Sequence, residues 1–137
     1  MVAVTAAAVV ACVLIHYEGL VLASRTLARM GGHRRVKVLY AIGWLLGLHV
    51  VEIWIFGVAL WALAHWPEAG SVGGGIPHLF DAIYFSAVTF TTVGYGDLTP
   101  VGPIRFVSGT EALAGFVLIA WSASFTYLEM ERFWRSP

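Results

Sequence analysis

The chain has 137 residues, of which 59% are hydrophobic and 12% are charged. Soluble domains are about 45–50% apolar and about 25% charged, so the composition excludes an ordinary soluble core and points to a membrane protein. The formal net charge is zero, which leaves no basic surface for nucleic acid, and the one cysteine, Cys12, can make neither an intrachain disulfide nor a thiolate metal cluster.

Val2–Leu22 is the first apolar run, close to the about 20 residues that cross a bilayer as a helix. A cleaved signal peptide carries a basic segment ahead of its apolar core. Here the first basic residue is Arg25, so residues 1–24 are read as a retained transmembrane helix, with Cys12 in a packing role. Ser24–Lys37 then carries Arg25, Arg29, Arg34, Arg35 and Lys37 around Gly31, Gly32 and His33, with no acidic residue. Five of the eight Lys and Arg sit there. Membrane proteins keep such excess on the cytoplasmic side, so residues 25–37 are expected to be a basic cytoplasmic loop. A voltage sensor needs regularly spaced arginines in an apolar helix, and this spacing is irregular. A contact with anionic lipid is compatible with the charge.

Residues 38–66 read as a second helix, long enough to tilt. Tyr40 and Trp44 mark one interface, Trp61 and Trp66 the other, and Pro67 ends the run. Glu68–Gly75 reads as a flexible, polar, extracellular link. The run 77–90 is too short to span. Pro77 suits a helix start, and Asp81 suits the positive end of the helix dipole. A re-entrant helix is expected, its C-terminal end turned toward a cation path. Residues 104–128 form the last span, entered through Pro100 and Pro103. Residues 129–137 read as a short cytoplasmic tail, with Arg132, Trp134 and Arg135 at the interface. The loops together place the N-terminus outside and the C-terminus in the cytoplasm, in a multi-pass protein of the cell membrane.

Between the short helix and the last span lies Thr92-Val93-Gly94-Tyr95-Gly96, flanked by Thr91 and Asp97. A dehydrated cation needs oxygen ligands in place of water. Consecutive backbone carbonyls supply them, and the Thr92 hydroxyl adds a further ring. Pointing successive carbonyls at one axis requires alternating backbone handedness, which Gly94 and Gly96 allow. Val93 and Tyr95 then turn outward and can wedge the segment open from behind.

This stretch resembles the selectivity filter of the potassium channel pore-module family. The resemblance implies a pore module over residues 38–130: an outer helix at 38–66, a pore helix at 77–90, the filter at 92–97 and an inner helix at 104–128. It implies an all-α integral membrane fold, with three transmembrane helices, a re-entrant pore helix and the filter. One filter segment per chain implies a homotetramer around a central pore. K+ is then the permeant ion, held at Thr92, Val93, Gly94 and Tyr95 and moving passively by knock-on. No cofactor and no small-molecule substrate are implied. With no nucleophile–base pair and no phosphate loop, an enzyme is not expected. Three-helix bacterial members of the ion-channel family look similar to the whole chain, including the Glu-Ala-Leu-x-Gly pattern at Glu111–Gly115.

Three departures from the family pattern bear on function. Some members place a glutamate four residues before the filter threonine, coupled to the filter aspartate; here that position is Val88, so inactivation through such a contact is expected to be weak. Gly115 is the candidate hinge of the inner helix, with Gly109 second and close helix packing as the competing role. No cytoplasmic regulatory domain is expected. Rival readings are a subunit of a multi-chain potassium transport system, a non-conducting scaffold and a weakly selective cation channel. One intact filter in a short chain counts against the first, and the intact Thr92–Gly96 sequence counts against the others.

His16, Glu18, His49, Glu52 and Glu111 all fall inside predicted membrane helices, where ionisable groups pair, face protein or line water. His49 and Glu52 are three apart and share a helix face; His16 and Glu18 are two apart and do not. A bond from His16 to Glu52 would dock the first helix onto the pore module. Structural pairing, a pH sensor and a metal site of His16, His49 and Glu52 are the three roles open to this cluster. Glu111 is expected level with the pore helix, either accepting a hydrogen bond behind the filter or attracting cations in the cavity.

Overall fold

The computed structural model describes residues 1–135, with side chains through Arg132. Three long helices carry the architecture: α1 (Val2–Arg29), α2 (Arg34–Ala64) and, after a short helix α3 (Leu79–Phe90), α4 (Ile104–Arg135). All three are long and apolar enough to cross a membrane, and α3 is not. The chain is thus an all-α membrane fold. Two three-residue strands, β1 (Ser71–Gly73) and β2 (Thr99–Val101), complete it.

α1 and α2 run as one hairpin. Gly19 lets them approach closely: a Cβ there would come within 2.7 Å of a Leu48 methyl. Trp44 Nε1 donates to the Gly19 carbonyl at 3.0 Å, so this indole serves the helix contact, not only the interface expected for it. The basic segment is shorter as a loop than expected. Arg25 and Arg29 extend α1, while Arg34, Arg35 and Lys37 open α2. Only residues 30–33 connect them, because arginine and lysine are good helix formers and Gly31-Gly32 supplies the break.

α3 packs on α2 and α4. Gly57 of α2 sits against Ile83 of α3, where a Cβ would meet the Ile83 side chain at 2.4 Å. The start of α3 is fixed by the His78 N–H donating to Asp81 Oδ2 at 3.0 Å. It begins at Leu79, two residues later than expected, because Asp81 caps from the third helical position. The link at Glu68–Gly75 is not free. A 3-10 turn at Pro67–Ala69 leads into β1, which pairs antiparallel with β2 in the register Ser71 to Val101. This ribbon ties the entry of α3 to the exit of the segment after it. Leu60, Val72, Ile76, Phe85, Ile104 and Val107 bury beneath it.

The last helix also runs further than expected, through Arg135, so the proposed tail is largely helical. The Trp134 and Arg135 side chains lie outside the described residues.

Candidate functional site: an exposed carbonyl segment and its supports

α3 ends at Phe90, and its final turn hands the chain over to residues 91–97. The Thr91 N–H and Thr91 Oγ1–H both donate to the Ala87 carbonyl, at 3.1 and 2.7 Å. The Thr92 N–H donates to Thr89 O at 2.9 Å, and the Gly94 N–H donates to Val88 O at 3.0 Å. These N–H groups point back into the helix end, which leaves the segment's own carbonyls free of them. Positive φ occurs at Thr92 (61°), Gly94 (53°) and Gly96 (82°), so every second residue is left-handed. The glycines adopt this without steric cost. Thr92 does not, since a β-branched residue there is strained. Strain of that kind persists where the surroundings impose it, and it collects at functional sites. The sequence reading placed the alternation on the two glycines and missed Thr92.

The whole segment Thr91–Asp97 is exposed on the single chain. Tyr95 is 72% and Val93 53% accessible, although both are large and apolar. Behind the segment, Tyr84 of α3 donates its hydroxyl to Asp97 Oδ2 at 2.8 Å. The sequence offers Val88 at the position where a carboxylate partner for Asp97 is expected, with Glu111 as the replacement acceptor, and does not single out Tyr84. Tyr84 lies one helical turn earlier on the same face, so the i, i+4 spacing was the available signal. Val88 itself is buried in the core under the ribbon.

Glu111 of α4 is fully buried against α3. Its Oε1 accepts from Ser86 Oγ at 2.5 Å; the same hydroxyl lies 2.8 Å from the Ile53 carbonyl. Glu111 Oε2 has no partner among the described residues. Glu111 was expected either behind residues 92–97 or facing a cavity; its described partner, Ser86, lies on the short helix instead. It does not bond Asp97, whose described partner is Tyr84. Gly115 sits one turn further along α4, directly against the α3 terminus. A Cβ there would fall 2.0 Å from Phe90 O, whereas a Cβ at Gly109 would meet nothing within 4 Å. Gly115 is therefore required by packing.

The sequence model of the ion channel family matches residues 48–130, more than half of the chain. The chain belongs to that family. Over 64 residues it is 36% identical to Protein LctB of Geobacillus stearothermophilus, covering 47% of this chain and 48% of that protein. Over 85 residues it is 35% identical to the inward rectifier potassium channel Kirbac3.1 of Paramagnetospirillum magnetotacticum, covering 61% of this chain and 29% of that protein. Over 78 residues it is 41% identical to potassium voltage-gated channel subfamily A member 6 of Mus musculus, covering 55% and 14%. The matches thus span about half of LctB and under a third of Kirbac3.1.

The family match begins at Leu48, so the first helix lies outside it. That helix is joined to the rest by polar side chains. His16 Nδ1 on α1 lies 2.8 Å from Glu52 Oε1 on α2, the pairing the sequence reading singled out. His49 Nδ1 lies 2.8 Å from the other oxygen, Oε2, as its shared face with Glu52 implied. Ser122 of α4 completes the group, with Oγ 3.0 Å from His49 Nε2 and 3.5 Å from His16 Nε2. Glu18 does not join. It is exposed on the other side of α1, because residues two apart on a helix face nearly opposite ways. Ser122 was not foreseen. Cys12 is buried one turn from His16, with Sγ 3.9 Å from the Glu52 carbonyl, consistent with packing.

Proposed function

We propose that four copies of this chain assemble around one axis and conduct K+ passively through stacked rings of oxygen from Thr92, Val93, Gly94 and Tyr95. The observation that carries the reading is the alternating backbone of residues 92–96, with positive φ at Thr92, Gly94 and Gly96. Alternation turns successive carbonyls to one side, and a single strand of them can surround an ion only when other copies supply the rest. The exposed Val93 and Tyr95 side chains support assembly, since neighbouring copies would cover them. Two of the relatives described above are themselves named potassium channels. In this reading α2 is the outer helix, α3 the pore helix and α4 the inner helix. Tyr84, Asp97, Thr91 and Glu111 hold the filter from behind. Arg25, Arg29, Arg34, Arg35 and Lys37 face the cytoplasm, with the N-terminus and the filter mouth outside.

Potassium flux into liposomes holding the purified protein tests this reading, with sodium as the competing ion and Gly94→Asp as the dead-filter variant. Selective K+ uptake that disappears in the variant is the expected result. Equal passage of sodium would remove the selectivity claim. Flux that survives in Gly94→Asp would remove the filter assignment.

A further inference from the structure

The geometry points to a divalent metal site in the membrane core, with His16, His49 and Glu52 as ligands and Ser122 orienting both imidazoles. One donor atom from each of the three ligand residues lies within 4.8 Å of the others. The site is built from three helices, and only the second and third belong to the matched family region.

The side-chain pattern is specific. Both histidines turn the same ring atom, Nδ1, to the carboxylate, and each takes a different oxygen at 2.8 Å. Both turn the opposite atom, Nε2, to one hydroxyl, Ser122 Oγ. A neutral imidazole carries one N–H, on one nitrogen or the other. With both N–H groups on the Nδ1 side, both Nε2 atoms are acceptors, and the single Ser122 proton can serve only one of them. With a cation on the Nδ1 side, the N–H groups move to Nε2. Ser122 Oγ has two lone pairs and accepts both. Metal-bound histidines commonly donate their other N–H in this way, which fixes tautomer and orientation.

Charge also calls for a cation at this place. Glu52 and His16 are both 0% exposed. A carboxylate inside a membrane helix needs a positive partner. One extra proton on an imidazole would also supply it, and would close the hydrogen-bond count. With one added proton Ser122 Oγ accepts from one Nε2 and donates to the other, whereas with a metal it accepts from both, at 3.0 and 3.5 Å, and the titration below separates the two. Two nitrogens with carboxylate oxygen suit zinc-class ions such as Zn2+ and Co2+, not the all-oxygen sites of Mg2+ or Ca2+. K+ is ruled out as the occupant for the same reason.

The test uses the full chain, free of affinity tag, as the assembled protein in detergent. After chelator treatment and its removal, Co2+ is titrated while visible absorption is followed, because Co2+ absorbs strongly in a four-coordinate site. One Co2+ per chain, displaced by Zn2+, is expected, together with a thermal unfolding midpoint that rises with added metal. His49→Gln should abolish the band. Ser122→Ala, which keeps all three ligands, should weaken binding about 10- to 100-fold. The triple variant His33→Gln, His65→Gln, His78→Gln removes exposed surface histidines and should leave the band intact. A folded wild-type protein with no Co2+ band overturns the assignment. So does a band that survives His49→Gln or vanishes in the triple variant. An unfolding midpoint that moves with pH but not with metal would mean that the ring holds a proton, and it too overturns the site. None of these readouts depends on K+ conduction, so failure here leaves the channel reading standing.

Discussion

Residues 91–97 are exposed along their whole length on the single chain, whereas the His16–His49–Glu52–Ser122 ring is closed within it. The first region carries left-handed backbone at Thr92, Gly94 and Gly96 and leaves apolar side chains uncovered. The second pairs every described polar atom of Glu52 and both histidines with a neighbour. One chain therefore completes the ring but leaves residues 91–97 uncovered. The contrast assigns the two regions different tasks. In the proposed function the segment serves an ion and other copies, while the ring joins α1 to α2 and α4 within one chain.

That difference can be broken at its strongest point first. Gly94→Ala adds a Cβ that meets nothing in the chain. The substitution acts on the backbone alone, where a left-handed non-glycine residue costs about 1–2 kcal/mol. We expect helix content unchanged by circular dichroism and selective K+ flux reduced to background. Selective flux at the wild-type level would show that residue 94 need not be left-handed.

The ring should respond in the opposite sense. Leaving a buried hydrogen-bonding group without its partner costs about 1–3 kcal/mol, and Glu52 serves both histidines, so Glu52→Ala is expected to lower the unfolding midpoint of the assembled protein. In whatever protein still folds, the K+ to Na+ preference should be unchanged, since the ring makes no described contact with residues 91–97. A loss of selectivity at normal stability would merge the two regions into one functional unit.

Gly115 lies between them and sharpens the comparison. Gly115→Ala forces a methyl group toward Phe90 O, where the gap allows only 2.0 Å. Overpacking of this kind costs about 1–3 kcal/mol and must shift the α3 end that carries Thr91. Gly109→Ala faces open space and should be silent in both stability and flux. If the two variants behave alike, Gly115 is not a contact residue, and a bending role regains weight.

Much of this was legible in the sequence because the physics is local. Apolar length set the three spans, Pro77 and Asp81 placed the short helix, and the Thr92–Gly96 motif located the segment. The three-residue spacing of His49 and Glu52 put them on one face. What escaped depends on how helices are rotated and packed. Ser122 is one of several serines on α4, and only the orientation of that helix turns it to the histidines. Glu18 is set apart from His16 by their two-residue spacing, and with Cys12 and His16 inward it lies exposed. The β1–β2 ribbon was hidden because three-residue strands are too short to carry a periodic signal. The basic stretch 25–37 was read as loop from its charge, although its residues favour helix and the break needs only Met30–His33.

Tyr84 is the case in which a small effect is the informative one. Its hydroxyl is 2.8 Å from Asp97 Oδ2, and the ring of Tyr84 is itself exposed on the single chain. Tyr84→Phe removes one hydroxyl and leaves the aromatic body, so fold stability should stay within experimental error. Asp97 would lose its described tether to α3 and turn to water. A looser mouth should let sustained K+ current decay faster, with the initial selectivity intact. Val88→Glu tests the same contact from the buried side. Val88 packs in the core with Leu60 and Phe85, so a carboxylate there must displace that packing before it reaches Asp97. Faster decay in Tyr84→Phe, with a stability loss in Val88→Glu, would place control of the mouth on Tyr84. Unchanged or slower decay in Tyr84→Phe would mean that the Tyr84–Asp97 bond does not hold the segment, and in the proposed assembly a neighbouring copy would have to do so.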